Sequence, residues 1–87
     1  MIRDEAKKFI TEQAKKRMAL LGLEDHSVSN STDLVKEGIF DSLSFVDLVA
    51  DCENEFNIQI DLEKYEPGEF TKLGKLAEII ENAKNSL

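Results

Sequence analysis

Residues 38–46 read Gly-Ile-Phe-Asp-Ser-Leu-Ser-Phe-Val. Asp41 carries a short acidic side chain, and an apolar register starts four residues later at Phe45. Asp is a favoured N-cap, because its carboxylate accepts hydrogen bonds from the first free backbone N–H groups of a helix. The stretch therefore predicts a helix that begins at Asp41 or Ser42 and runs to about Phe56. Its apolar stripe is Phe45, Leu48, Val49, Cys52 and Phe56, with Val46 on the flank, the spacing of a helix buried on one side. Ser42 then stands in the first turn, exposed, because the chain arrives there from a loop.

On the N-terminal side, residues 23–40 form a long loop rich in Ser, Asn and Asp, with Leu34, Ile39 and Phe40 as anchors onto the core. Loops of this length are uncommon in compact domains and are often functional. Before it, Ala6, Phe9, Ile10, Ala14, Met18 and Leu21 recur at helical spacing, which predicts a helix from residue 3 to about 21, stopped by Gly22. On the C-terminal side, Ile58 and Ile60 alternate with polar residues too briefly for a strand and read as apolar plugs in a loop. Residues 62–66 read as a short helical turn, started by Asp61 and ended by Pro67-Gly68. A last helix, capped by Thr71, carries Leu73, Leu76, Ala77, Ile80 and Ala83 on one face. Three main helices and a short one predict an all-α fold, a small four-helix bundle.

Eighty-seven residues are enough for one small domain, residues 1–87, with a single modest core. Hydrophobic content of 41% argues against wholesale disorder. Eleven basic against eighteen acidic residues give a net charge of −7, which opposes nucleic acid and anionic membranes and favours basic protein patches. The charge is segregated. Residues 1–20 hold six bases and three acids, whereas residues 41–69 hold nine acids and only Lys64. Asp47, Asp51 and Glu55 stand four apart on the second helix, where like charges repel, so salt or divalent cations should stabilise the fold modestly. No apolar run reaches membrane-spanning length, and Met1 to Lys8 is too charged for a signal peptide. One cysteine allows no internal disulfide and points to a reducing, cytoplasmic setting. The Asn30-Ser31-Thr32 glycosylation triplet carries little weight there.

Most chemistries find no support. A nucleophilic Ser42 needs a base and an oxyanion site, yet His26, the sole histidine, lies in a polar loop, and no Gly-x-Ser-x-Gly elbow is present. One Cys and one His cannot close a zinc site. A calcium-loop register from Asp33 puts Gly38 at the sixth position, but Val35 at the third and Ser44 at the twelfth exclude it. No Gly-rich phosphate loop occurs. Lys7, Lys8, Lys15, Lys16 and Arg17 lack interleaved aromatics, so they do not make a nucleic-acid site. Cys52, on the apolar stripe, reads as a buried, inert thiol. Phe45, Val46, Val49 and Ile60 are candidates to line an internal apolar pocket instead of filling it.

Ser42 has two local readings. A helix N-terminus offers partial positive charge and unpaired N–H donors, which suit a phosphate ester. The alternative is a hydroxyl that only solvates or caps the helix end.

Gly38-Ile39-Phe40-Asp41-Ser42-Leu43, then Val46-Asp47-Leu48-Val49 and Glu53-Asn54-Glu55-Phe56-Asn57-Ile58-Gln59-Ile60, resembles the acyl carrier protein family over roughly residues 33–82. The resemblance implies a four-helix fold in which Ser42 receives 4′-phosphopantetheine from coenzyme A through a phosphopantetheinyl transferase. Cargo then rides on the arm's thiol as a thioester, and the protein is a shuttle and a substrate, not an enzyme. It also implies that Asp41, Leu43, Asp47, Ala50 and Glu53 contact partners: the transferase, acyl- or aminoacyl-loading ligases, and synthases or transferases with basic patches.

The sequence departs from the fatty-acid type at several points. Ile39-Phe40 replaces small residues, and Ser44 replaces a frequent acid. Ala50 stands for a larger apolar residue, no proline follows the Ile-x-Ile segment, and residues 66–70 are longer. These departures point to a specialised discrete carrier, of the D-alanyl or aminoacyl kind or serving a dedicated polyketide or lipid pathway. Phe45, if inward, shortens the pocket and favours small cargo. The expectation is thus a free-standing, monomeric acyl carrier. Its alternatives are an aminoacyl or peptidyl-type carrier and an acidic helical adaptor without a prosthetic group.

Overall fold

The computed structural model describes residues 1–23 and 27–86; His26 lies outside them. Helix α1, Ile2–Leu21, buries Ala6, Ile10, Ala14 and Met18 along one line. Gly22 ends it with φ +74°, a conformation that costs a residue without Cβ little. The Leu23 N–H reaches back to the Met18 carbonyl at 2.8 Å and the Gly22 N–H to Ala19 at 3.4 Å, the paired bonds of a Schellman stop. This stop turns Leu23 onto the core and leaves Leu21, expected on the stripe, 45% exposed.

Helix α2, Ser42–Phe56, starts at its expected place with Asp41 as N-cap and buries Phe45, Leu48, Val49 and Cys52. It ends at Asn57, which takes the left-handed conformation (φ +55°) that Asn tolerates better than most residues. Lys84 donates to the freed Phe56 carbonyl at 2.9 Å. Ile58 is buried and Ile60 half-buried, as plugs.

A 3₁₀ turn, Leu62–Lys64, follows, its N-cap Asp61 accepting from the Glu63 N–H at 3.1 Å. It closes at Tyr65, before the expected stop. Pro67 is not a terminator; it opens the short helix α3, Pro67–Phe70. At the first helical position the missing N–H costs nothing, since it would have no partner there.

Helix α4, Leu73–Asn85, buries Leu73, Leu76, Ala77, Ile79 and Ile80. Thr71 does not cap it. The N-cap is Lys72, with no side-chain cap, while Thr71 is buried and hydrogen-bonds the Asp33 side chain. The cap is dispensable because the long loop supplies acceptors: the Leu73 N–H donates to Thr32 O at 3.0 Å and the Gly74 N–H to Asn30 O at 2.9 Å.

That loop is sewn to the α3–α4 junction. The Leu34 N–H donates to Thr71 O at 2.8 Å, and Asp33 and Lys72 form an antiparallel bridge. Asp33 Oδ1 accepts from the Val35 and Lys36 N–H groups, and Leu34, Ile39 and Phe40 are buried, as expected. The loop passes so close to α4 that a Cβ on Gly74 would stand 2.9 Å from Asn30 Cβ and 3.0 Å from its carbonyl oxygen.

Four helices thus surround one apolar core, with α1 packed most extensively on α4. Phe9 meets Phe56 edge-on at 5.9 Å, and Arg3 pairs with Glu81 at 2.7 Å. Among the described residues the all-α bundle has the expected three main helices, and its short helix is Pro67–Phe70 instead of the turn expected at 62–66.

Candidate functional site

The end of α2 that carries Ser42 is built by a reciprocal cap. The Ser44 N–H donates to Asp41 Oδ1 at 2.7 Å, and the Asp41 N–H donates back to Ser44 Oγ at 2.9 Å. Ser44 Oγ also donates to Asp41 Oδ1 at 2.9 Å. A Glu or Gln usually answers the N-cap from this third position; here a serine does. These bonds from Ser44, backbone first and hydroxyl second, hold the Asp41 carboxyl below its usual pKa, assisted by the Arg17 guanidinium.

Ser42 sits between the two partners of this cap and belongs to neither. It is exposed, and its hydroxyl makes no hydrogen bond among the described residues. Among the described residues no side chain stands ready to take its proton. Arg17, on α1, holds the preceding turn: its Nε–H donates to the Ile39 carbonyl at 3.1 Å, and its Nη2 lies 3.9 Å from Asp41 Oδ2. Sequence reading weighed Arg17 only as part of a basic cluster, since its partner lies far along the chain.

The expected partner residues divide. Asp41, Leu43, Asp47 and Ala50 are exposed at the cap and along the first half of α2, with Leu43 at 78%. Glu53 is half-buried, and its Oε2 accepts from the Ile60 N–H at 2.7 Å, so it also anchors the loop that follows α2. Val46, expected as a pocket residue, is 59% exposed and adds to the apolar surface of Leu43.

The other pocket candidates are also spread. Phe45 is buried, with its ring stacked on Phe70 at 5.8 Å, and Val49 is buried in the same core. Ile60 lines an open groove of about 1060 Å³ together with Glu53, Ile58, Tyr65, Ile79 and Ala83; Phe45, Val46 and Val49 do not line it. Cys52 is buried, and burial first, then Asp51, Glu53 and Glu55, pushes its thiol up to about 12. It is inert at neutral pH. Among the described residues no cluster of His, Cys, Asp or Glu could hold a metal ion.

Neither the comparison with curated proteins nor that with solved structures gives a match. The family model described as phosphopantetheine attachment site matches residues 18–80. The chain's own residues fit such a group: the matched span contains an exposed serine hydroxyl with no partner among the described residues, at the N-terminus of a long helix, with a guanidinium at the preceding turn. By a match that covers most of its length, the chain belongs to the phosphopantetheine attachment-site family, that of the acyl carrier proteins, and carries 4′-phosphopantetheine.

Proposed function

We propose that Ser42 is the attachment residue and that the protein shuttles acyl groups between enzymes. Membership of the family makes it a carrier and a substrate of phosphopantetheinyl transferase, not a catalyst. The observation that carries the assignment to Ser42 is the contrast at the head of α2: Ser44 spends its hydroxyl on the cap, whereas that of Ser42 has no partner among the described residues. When bound, the group supplies a long arm whose terminal thiol holds cargo as a thioester. The chain's part is to present the hydroxyl, to offer the dipole of α2 to a phosphate, and to be recognised.

Recognition falls to the exposed face of α2. Leu43 and Val46 give a small apolar contact, and Asp41, Asp47 and Asp51 surround it with negative charge. This arrangement suits transferases, loading ligases and synthases with basic patches, met by electrostatic steering and released quickly. Location in the cytoplasm is part of the same proposal; no helix among the described residues is long and apolar enough to cross a membrane.

A second reading, aminoacyl or other small cargo, is favoured by one contact. Phe45 is buried and stacked on Phe70, which leaves less room behind α2 for a long chain.

The test is intact mass after incubation with coenzyme A, magnesium and a broad-specificity transferase. Wild type and Ser44→Ala should gain one phosphopantetheine group, and Ser42→Ala none. Modification of Ser42→Ala would overturn the assignment. A folded, unmodified wild type that gains nothing would favour an adaptor that binds partners through the acidic face alone. Loading assays with fatty acids against amino acids then separate the two cargo classes.

A further inference from the structure

The turn that delivers Ser42 to α2 is held from another helix. Arg17 spends its Nε–H on the Ile39 carbonyl, 3.1 Å away, and its side chain is 32% exposed. A guanidinium has five N–H donors in a rigid fork. Among the described residues no hydrogen bond from the Nη groups is made; Nη2 stands 3.9 Å from Asp41 Oδ2, an ion-pair distance only. Asp41 meanwhile has its Oδ1 committed to Ser44 twice over.

A phosphodiester on Ser42 brings a second negative charge next to Asp41 on an exposed turn. Neighbouring like charges repel, and a helix N-terminus offers only about half a positive charge in return. A full cation close by would offset the rest. Among the described residues, Arg17 is the cation whose side chain hydrogen-bonds or pairs with residues 38–44. Consecutive Cα atoms lie about 3.8 Å apart, so a group on Ser42 is within side-chain reach of a fork already at Asp41. Guanidinium geometry also matches phosphate oxygens better than a lysine ammonium does.

We propose that Arg17 binds the phosphodiester: its Nη–H groups hold a non-bridging oxygen on Ser42 while Nε–H stays on the Ile39 carbonyl. The base of the arm is then tied to the α1 side of α2, and the Asp41–Ser42 step tolerates its second charge. The inference rests on Ser42 being the attachment residue.

The experiment compares wild type, Arg17→Gln and Arg17→Lys, each before and after loading by the transferase. Intact mass of wild type and Ser42→Ala tests the attachment reading first, so its failure is seen separately. The ³¹P resonance of each loaded protein and the thermal midpoint before and after loading test Arg17. Attachment should raise the wild-type midpoint by a few degrees relative to Arg17→Gln. The ³¹P resonance should shift in Arg17→Gln and move part-way in Arg17→Lys, and both differences should shrink with added salt. If Arg17 only braces the turn, the variants lose equal stability before and after loading and the ³¹P resonance stays put. That result would overturn the proposal. Arg17→Lys keeps the test valid if Arg17→Gln fails to fold.

Discussion

Ser42 and Ser44 lie two residues apart at one helix end and differ in what their hydroxyls touch. Replacing Ser44 by Ala removes the answer to the Asp41 backbone N–H and one bond to the Asp41 carboxylate. Ser44→Ala should therefore lower the urea midpoint while the mass gain on loading persists. Phe45 makes a second contrast with its neighbours. It is buried and stacked on Phe70, and Phe45→Ala should cost about 3–5 kcal/mol by urea denaturation. In the fraction that stays folded, long acyl cargo should be drawn further inside, seen as larger methyl shifts of the chain end by NMR; no difference from wild type would mean that Phe45 does not limit the space.

Between elements, the contact that sequence hid best is the seam between the long loop and α4. Gly74→Ala would drive a Cβ against Asn30, including its backbone oxygen, so the loop or the helix must shift. A cost of about 1–3 kcal/mol, typical of overpacking, is expected in urea denaturation. Asp33 fastens the same seam. Burial pushes its carboxyl up, but hydrogen bonds from Lys36, Thr71 and Val35 more than offset this and leave its pKa below the usual value. A lowered folded-state pKa stabilises the fold above about pH 4. That contribution is lost as pH falls through the lowered value, because protonation gives up the bonds. Asp33→Asn should reduce stability at pH 7 and flatten the decline in acid, as read from unfolding midpoints across pH.

The seam also explains where sequence reading stopped. The main helices, their stripes, Gly22 and the Asp41 cap were legible because each follows from residues a turn or two apart. Thr71 was misread as a cap, since its partner Asp33 and the acceptors that replace it come from a loop some forty residues earlier. Pro67 was read as a stop by the same local logic, though proline also opens helices. The exposed place of Ser42 in the first turn of α2 was legible from the register, whereas Arg17, which steadies the turn before it from α1, was not.

For the whole molecule, the same charges act in two directions. Asp47, Asp51 and Glu55 are exposed at four-residue spacing and repel each other by a few tenths of a kcal/mol per pair. Added salt should raise the thermal midpoint modestly and, over the same range, lower kcat/KM for loading by the transferase, because it screens the attraction of a basic partner. Parallel rather than opposed trends would show that the acidic face does not steer encounter.

Finally, α1 finds its main partner in α4, the last helix among the described residues. Until α4 leaves the ribosome, the line of Ala6, Ile10 and Ala14 has little to close upon, and the long loop lacks the edge to which it is sewn. Docking of α1 therefore depends on a contact of high sequence separation, which is slow to form. A nascent or truncated chain ending before Leu73 lacks the main partner of α1 and the edge that holds the long loop leading to Ser42, so the head of α2 should reach its final form only once α4 has been made.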